Sequence, residues 1–327
     1  MLVKKKKQLG QFFTKESCWL RPHVIEFVKS TGARIAYDPF AGSGDMLKAV
    51  SPFVDKEIGL DVDESLGWKF NDSLISIPRI EKSIIVTNPP YLSNYSAKRR
   101  GLYEKAEKYF QSTKYDDLYQ LAIEKCLELQ KGVMIVPETF INSSFSKNRL
   151  ISITILEDNP FDDTENPVCV ICFDNRIKSL DKIKIYKNDN LLGNLAFFER
   201  FRMQPKNSIP IKFNEINGRI ALRGVDTTDP KKLISFMKKE ELDYDLKGIK
   251  HSSRLITLIS IPRIEDKFLD SFITKSNDIL KQYRQKTHDI LLSPFKGNNS
   301  LSLRRRRLDY RTARAILETA FFHDTLV

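Results

Sequence analysis

Residues Asn88-Pro89-Pro90-Tyr91 place an amide, two rigid imino acids and an aromatic ring directly after an apolar segment. That segment, residues 83–86, predicts a buried strand, and the carboxyl ends of strands in open α/β sheets are where ligands collect. The prolines fix φ, remove two donors and hold the preceding residue extended. The sequence therefore predicts a stiff loop that presents an amide oxygen, bare carbonyls and one ring.

Such a loop suits binding of the NH₂ group of a nucleobase. An exocyclic amino group is a poor nucleophile because its lone pair is delocalised into the ring. Two acceptors set against its N–H bonds make the nitrogen more tetrahedral, and the Asn88 side-chain oxygen and the Pro89 carbonyl are candidates, with Tyr91 stacking on the base. The alternative is a proline turn that only ends a strand, and the tetrapeptide alone does not separate the two interpretations.

A second set of candidate residues precedes this loop. Residues 34–40 predict a strand, and Gly42 and Gly44 form a turn that allows close backbone approach to a ligand. No Gly-Lys-Ser/Thr follows, so the turn is not a phosphate-binding P-loop. Asp61 ends the next predicted strand, about 20 residues past the glycines, a distance that suits binding of ribose hydroxyls. Asp72 ends a short third strand and is a candidate acceptor for an adenine amino group.

Strands that alternate with helices predict an α/β domain with a doubly wound, mostly parallel, seven-stranded sheet over residues 1–175. The predicted strands cover residues 34–40, 57–63, 69–74, 83–86, 132–137, 150–156 and 168–174. Residues 176–327 predict a small mixed, basic region with a terminal helix able to pack back on the first domain. Helices are predicted there over residues 230–242, 265–292 and 310–322.

The positive charge is concentrated in the second region. The chain has a net charge of +12. Residues 1–175 hold 23 Lys and Arg against 24 Asp and Glu, whereas residues 176–327 hold 31 against 18. This asymmetry predicts a nearly neutral catalytic half and a half that binds a polyanion such as nucleic acid. Arg304, Arg305, Arg306 and Arg307 are candidate phosphate contacts, and a solvated basic face is the alternative.

Composition also argues against several classes of protein. No apolar run is long enough to span a bilayer, and no apolar core follows the first lysines as in a secretory signal, so a cytoplasmic protein is expected. Cys169 and Cys172 have zinc-like spacing, but no second pair accompanies them, and residues three apart on a strand face opposite sides. We predict core thiols and no metal site.

One octapeptide, Leu-Ile-Ser-Ile-Pro-Arg-Ile-Glu, occurs twice, at residues 74–81 and 258–265. The residues that flank the two copies do not match. The repetition therefore does not indicate a repeated domain.

Taken together, the motifs resemble the ordered series of gamma-group adenine-N6 DNA methyltransferases of type II restriction-modification systems. The series is Gln11-Phe12-Phe13-Thr14, Asp38-Pro39-Phe40-Ala41-Gly42-Ser43-Gly44, Asp61, Asp72 and Asn88-Pro89-Pro90-Tyr91. The resemblance covers residues 8–175, and order and spacing agree although each piece alone is common. A weaker similarity points to the small subgroup that modifies CATG.

The resemblance implies a binding site for S-adenosylmethionine. Its implied contacts are Phe13 and Thr14 near the carboxylate, Asp38 at the amino group, Pro39, Phe40, Gly42 and Asn88 along the pocket, Asp61 at the ribose and Asp72 at the adenine. The family often has an aromatic residue after the adenine-contacting Asp, and here that residue is Ser73. One face of the cofactor adenine is therefore expected to meet a different group.

The resemblance also implies the substrate and the partners. Asn88, Pro89, Pro90 and Tyr91 would hold a flipped adenine of double-stranded DNA, and Phe161 would pack on the base opposite Tyr91. A monomer paired in function with a restriction endonuclease is expected. Asn-Pro-Pro-Tyr also serves methylation of cytosine N4, of RNA adenine and of a protein glutamine, so the motif leaves the acceptor open. A DNA-binding protein on a degenerate scaffold is a further alternative.

Overall fold

The computed structural model describes residues 17–129, 131–158, 160, 161, 165–242 and 255–324. The chain divides into two compact units, Met1–Ala196 and Phe197–Val327. The division falls later than the predicted boundary after residue 175, because two further strands extend the sheet of the first unit. Among the described residues, no helix combines the length and the apolar character that crossing a membrane requires.

The first unit is built on one nine-stranded sheet. Its strands are β1 (Ile35–Asp38), β2 (Lys56–Asp61), β3 (Lys69–Phe70), β4 (Ser83–Thr87), β5 (Gly132–Pro137), β6 (Leu150–Ile155), β7 (Val168–Phe173), β8 (Lys184–Lys187) and β9 (Asn190–Asn194). Its helices are α1 (Pro22–Ser30), α2 (Asp45–Val50), α3 (Asn94–Arg99), α4 (Tyr103–Gln111) and α5 (Leu118–Leu127), and α6 (Leu195–Glu199) lies at the boundary between the units.

The strand order is β3-β2-β1-β4-β5-β7-β6-β8-β9. The first five strands in this order, β3, β2, β1, β4 and β5, pair in parallel, whereas β7 runs antiparallel to both β5 and β6. The predicted α/β class and the mostly parallel sheet are confirmed. The predicted strand number was wrong: all seven strands are present, and β8 and β9 add to them. The carboxyl ends of β1, β2 and β4 meet at one edge, which brings Asp38, Asp61 and Thr87 to the same side of the sheet.

Apolar helix faces cover the sheet. Val24 and Val28 of α1 lie one turn apart, and they pack with Leu47 of α2 against Val86 and Val133 of the strands. Helix α5 contacts β5 and contributes to a separate apolar cluster with α3 and α4. The predicted core thiols are confirmed, since Cys169 and Cys172 are free and buried in β7.

The second unit contains two antiparallel sheets and two helices. The larger sheet has the order β10-β13-β11-β12, and β14 pairs with β15 in a separate hairpin. The strands are β10 (Lys212–Phe213), β11 (Ile220–Arg223), β12 (Ser235–Lys238), β13 (Ile256–Ser260), β14 (Ser293–Asn298) and β15 (Arg304–Arg307). The helices are α7 (Leu269–Thr287) and α8 (Tyr310–Asp324), which confirm two of the three helices predicted there.

The helix predicted over residues 230–242 was wrong. That segment contains strand β12, which pairs with β11 and buries Phe236. The outer edge of the strand is satisfied by a side chain, since the Asn277 amide accepts from the Phe236 N–H at 2.9 Å and donates to its carbonyl at 2.8 Å. Tertiary pairing therefore decides the conformation of a segment whose composition also suits a helix.

Asp226 joins three elements of the second unit. It is 2% exposed, and both of its oxygens accept from the Arg284 guanidinium of α7, at 2.8 and 2.9 Å. The same carboxylate accepts from the backbone N–H groups of Ile234 and Arg306, at 2.9 and 3.1 Å. Ion pairing with Asp226 and Asp289 raises the pKa of Arg284, against the opposing effect of its burial. One buried carboxylate thus connects α7, the turn before β12 and the β14–β15 hairpin.

We predict that Asp226→Ala lowers the free energy of unfolding by about 3–5 kcal/mol, because the buried Arg284 guanidinium keeps, within the described residues, only Asp289 as a partner and two backbone donors lose their acceptor. Urea denaturation followed by circular dichroism measures the change. The matched control is Asp270→Ala on α7, which removes a solvent-exposed pair with Lys238 and should lose less than about 1 kcal/mol. Equal losses in the two variants would contradict the role assigned to Asp226.

Candidate active site at the carboxyl edge of the sheet

The glycine turn after β1 is held in place by side chains that hydrogen-bond to the backbone of Gly42. The Gly42 carbonyl accepts from the Trp68 indole N–H at 2.9 Å. Gly42 and Gly44 have φ values of +53° and +82°, and a Cβ on Gly44 would lie 2.9 Å from the Trp68 ring. Because L side chains rarely adopt such φ values, glycine is required at both positions. Trp68 was not among the residues predicted from the sequence, where its only signal is an aromatic residue just before strand β3.

Asp61 braces the same turn from the end of β2. Its carboxylate is 2% exposed and accepts from the Gly42 N–H at 2.8 Å and from the Asp63 N–H at 2.9 Å. Each of these bonds goes to a different oxygen. A carboxylate has about four acceptor positions, so both oxygens retain capacity to accept from the two hydroxyls of a ribose.

Asp72 lies beside α4. Its Oδ2 accepts from the Lys108 ammonium at 2.7 Å and from the Tyr109 hydroxyl at 2.9 Å. The bond to Asp72 raises the pKa of Lys108, and burial, followed by the same carboxylate, raises the pKa of Tyr109. Neither Lys108 nor Tyr109 was among the site residues predicted from the sequence. The aromatic ring near Asp72 is therefore that of Tyr109 on α4, because the position directly after Asp72 holds Ser73.

One cleft brings most of the predicted cofactor contacts together. Predicted residues that line it are Pro39, Phe40, Asp61, Asp72 and Pro90. Tyr109 and Ser73 complete the wall beside Asp72. Of the other predicted contacts, Gly42 does not line the cleft but donates its N–H to Asp61, which does. Phe13 and Thr14 lie outside the described residues.

Asp38 and Thr87 connect this cleft to the Asn88 loop. The Thr87 hydroxyl at the end of β4 donates to Asp38 Oδ1, which also accepts from the Phe40 N–H at 2.9 Å. Burial raises the pKa of Asp38 to about 7, although the hydrogen bonds from Thr87 and Phe40 oppose the shift and the nearby Asp61 adds to it. Among the described residues, Asp38 accepts hydrogen bonds from the Thr87 hydroxyl and the Phe40 N–H, and both of these donors are uncharged. A positive charge brought close to this carboxyl would therefore favour its ionised form.

The Tyr91 hydroxyl is hydrogen-bonded to the Asn88 side-chain oxygen, which is the acceptor predicted for the amino group of a base. It lies 2.5 Å from the Asn88 side-chain oxygen and 2.9 Å from the Ile135 carbonyl. Burial raises the pKa of Tyr91 well above its ordinary value, so the hydroxyl stays protonated. In this conformation the loop is closed by its own aromatic residue.

The predicted aromatic sandwich is not present in this structure. The rings of Tyr91 and Phe161 have centroids 6.3 Å apart and planes inclined by 70°, and Tyr119 meets Tyr91 edge-on at 6.5 Å. Phe161 is only 3% exposed. Rings that stack on both faces of a base must be parallel, whereas these make edge-to-face contacts with each other. Tyr91 and Phe161 are therefore neighbours, and stacking of both rings on a base stays a prediction that requires them to reorient.

The four consecutive arginines at residues 304–307 form strand β15, and their environments differ. Arg306 is 3% exposed, Arg304 and Arg305 are partly buried, and Arg307 is exposed. A phosphate contact by Arg306 is therefore contradicted, because its side chain is enclosed by the second unit. In the described ranges, no group of three or more His, Cys, Asp or Glu side chains is arranged to hold a metal ion.

Residues 71–164 match the family model of the Eco57I restriction-modification methylase. The match begins just after β3 and ends before β7, so it contains strands β4, β5 and β6, and it includes Asp72, the Asn88-Pro89-Pro90-Tyr91 loop and Phe161. No curated protein matched the chain. The matched segment thus contains the end of the cleft beside Asp72 and the whole candidate acceptor loop.

Solved structures with detectable similarity are distant. A Vibrio vulnificus YJ016 protein described as a modification subunit of a type I restriction enzyme is 16% identical, with 57% of this chain and 49% of that chain covered and a TM-score of 0.40. The type I methyltransferase subunit of Streptococcus thermophilus is 14% identical, with coverage of 57% and 50% and a TM-score of 0.36. A Listeria monocytogenes protein described as a class I S-adenosylmethionine-dependent methyltransferase is 14% identical, with coverage of 50% and 63% and a TM-score of 0.35.

The chain therefore spans about half of the two type I subunits and less than two thirds of the Listeria chain. These likenesses are too distant to define an activity.

We predict that replacing Asp38 by Asn removes a pH-dependent loss of stability. The folded-state pKa of about 7 lies above that of the unfolded chain, so ionisation of this carboxyl opposes folding as pH rises. The amide keeps an oxygen for the bonds from Thr87 and Phe40 and never ionises. The advantage of Asp38→Asn over wild type should be smallest near pH 4, grow with pH and level off above about pH 7 at about 4 kcal/mol.

Urea denaturation at a series of pH values measures this difference. The control is Asp55→Asn, which changes an exposed carboxylate that pairs with Arg34 outside the cleft. A difference between Asp38→Asn and wild type that stays constant across the pH range would contradict burial as the cause.

Proposed function

We propose that this chain is a DNA methyltransferase that transfers a methyl group from S-adenosylmethionine to the N6 amino group of adenine in a short duplex site. The observation that carries the proposal is the cleft formed by Pro39, Phe40, Asp61, Asp72 and Pro90, which ends beside the Asn88 loop. The match of residues 71–164 to a restriction-modification methylase supports the same class. The basic second half supports a nucleic-acid substrate.

The residues of the cleft fit the chemistry of the cofactor. S-adenosylmethionine supplies an electrophilic methyl carbon on a sulfonium. Asp38 would hold the ammonium of its amino-acid part, because a buried carboxyl with uncharged donors around it gains most from a bound cation. Asp61 would accept from the ribose hydroxyls, and Asp72 with Tyr109 would meet the adenine.

The acceptor amine would bind at the Asn88 loop. Its two N–H bonds would donate to the Asn88 side-chain oxygen and to the Pro89 carbonyl. The Tyr91 hydroxyl now donates to the Asn88 oxygen, so the incoming base must displace that donor or share the second lone pair. Hydrogen bonding of this kind and fixed positioning of two substrates are the catalytic contributions we assign to the chain.

The target adenine would be rotated out of the duplex, because an amino group within the stack cannot reach a pocket. Extrusion costs a few kcal/mol, and stacking on an aromatic ring is worth about 1–3 kcal/mol per base. Tyr91 is the ring we assign to this contact. Its present edge-to-face packing on Phe161 and Tyr119 means that stacking requires the Tyr91 ring to turn.

The wider setting follows from the class. We propose that the chain works as a monomer in the cytoplasm and that its methylation protects DNA from a partner restriction endonuclease. The proposal rests on the similarity of residues 71–164 to restriction-modification methylases. Cytosine N4 and RNA adenine remain alternative acceptors, because the Asn88 loop would contact only an NH₂ group.

We predict that Asn88→Ala abolishes methyl transfer and retains most of the affinity for S-adenosylmethionine. The change removes the side-chain acceptor for the amine and leaves Asp38, Asp61 and Asp72 in place. Transfer of radiolabelled methyl to DNA measures the first effect and calorimetry the second. Asn175→Ala, an exposed amide that is not among the cleft residues, is the control and should behave like wild type. Turnover of Asn88→Ala close to wild type would eliminate the proposed role.

We predict that DNA from cells that express the protein contains N6-methyladenine within a short duplex sequence. Nucleoside mass spectrometry distinguishes N6-methyladenine from N4-methylcytosine, and sequencing with modification detection reports the site. DNA from cells that express Asn88→Ala is the control. N4-methylcytosine, or methylation confined to RNA, would replace the adenine assignment by one of the alternatives.

A further inference from the structure

The β14–β15 hairpin is a two-stranded ribbon that is separate from the four-stranded sheet. Its residues, 293–307, include five basic side chains and no Asp or Glu. Two leucines at its tip are exposed, Leu301 by 63% and Leu303 by 52%. We refer to residues 293–307 as the basic hairpin.

We propose that the basic hairpin inserts into a groove of duplex DNA, with Lys296 and Arg307 on phosphates and with Leu301 and Leu303 packed against bases. This inference rests on the proposed function, because it takes duplex DNA as the substrate. It assigns the DNA contact to a particular ribbon and divides its residues into two roles. Two-stranded antiparallel ribbons have the width that a DNA major groove admits.

The arginines of the basic hairpin do not all face a ligand. Arg306 is 3% exposed, and its backbone N–H donates to Asp226. The Arg305 guanidinium lies over the Phe295 ring with 4.8 Å to its centroid and donates to the Asp226 carbonyl at 2.7 Å. These two arginines fasten the base of the ribbon to the second unit. Lys296 and Arg307 are exposed, and they are the side chains we assign to phosphates.

The tip of the hairpin is fixed by hydrogen bonds. The Asn299 side chain accepts from the N–H groups of Leu301 and Leu303, at 3.0 and 2.9 Å. The Ser300 N–H donates to the Thr228 carbonyl at 2.9 Å, which connects the tip to the loop after β11. Both leucines are thus presented outward by an ordered turn, and little ordering entropy remains to be lost on binding.

Charge selects the kind of partner. Leu301 and Leu303 lie together at one tip and form a small apolar surface, and apolar side chains in the major groove pack on thymine methyl groups. The basic hairpin has no carboxylate and exposes the charges of Lys296 and Arg307, which makes its surface complementary to a polyanion. Duplex DNA offers both a phosphate backbone for the cations and stacked bases for the leucines, whereas an acidic polysaccharide offers only the charge.

Binding of a fluorescein-labelled duplex of mixed sequence, measured by anisotropy at several salt concentrations, tests the two roles. Lys296→Ala and Arg307→Ala should each reduce the slope of log affinity against log salt concentration by about one, because each removes one phosphate contact. The double variant Leu301→Ser with Leu303→Ser should leave that slope unchanged and weaken DNA binding about tenfold or more through lost base contacts.

Heparin separates the roles further, because it has negative charge and no bases. The lysine and arginine variants should bind heparin more weakly, and the leucine double variant should bind it like wild type. Ile216→Ser, an exposed apolar residue outside the hairpin, and Lys56→Ala, an exposed lysine of the first unit, are the controls and should leave both affinities unchanged. Thermal unfolding of every variant establishes that it is folded.

Wild-type DNA affinity in the leucine double variant, or an equal loss of DNA and heparin binding, would overturn the role of the leucines. Unchanged salt slopes in both charge variants would overturn the phosphate contacts. Methyl transfer is measured in parallel. If hairpin-dependent binding occurs and no nucleic acid is methylated, the proposed function fails and the hairpin inference stands. If DNA is methylated and all hairpin variants bind like wild type, the hairpin inference fails and the proposed function stands.

Discussion

The candidate site depends on one buried hydrogen bond, from the Thr87 hydroxyl to Asp38. It joins the last residues of β1 and β4, which are neighbouring parallel strands. The first strand leads into the glycine turn, and the second leads into Asn88. Because both groups are fully buried, displacement of either strand end would leave a polar atom without its partner. The two halves of the cleft are therefore held in a fixed relation by the sheet itself.

The sequence was informative where burial was complete. Strands β4, β5 and β7 are enclosed on both faces, so they appear as continuous apolar runs, and the polar residues that end them were located correctly. Strands β8 and β9 are the last two strands on one side of the sheet and carry exposed polar residues such as Lys184 and Asn190, so they do not appear as continuous apolar runs in the sequence. Contacts from distant segments, such as Lys108 and Tyr109 on Asp72, left no signal of comparable strength.

The repeated octapeptide shows why local sequence could not decide more. At residues 258–265 its first half belongs to β13 and pairs with β10 and β11, whereas at residues 74–81 the same residues form turns and irregular backbone. Neighbouring strands determine the difference, and they are far away in the chain. The orientation of Tyr91 on Phe161 and the bond from the Arg306 backbone N–H to Asp226 are of the same kind, because each is set by a partner that spacing along the chain does not reveal.

In the β14–β15 ribbon, the residues that attach it to the second unit differ from the residues that are exposed at its tip. Asp226 secures its base and the Asn299 side chain shapes its turn, while the side chains of Leu301 and Leu303 at the tip are exposed. Substitutions at those tip positions can accumulate without passing through unfolded intermediates. A lineage that keeps Asp226, Arg284 and Asn299 can therefore vary the exposed tip of the ribbon while the first unit stays unchanged.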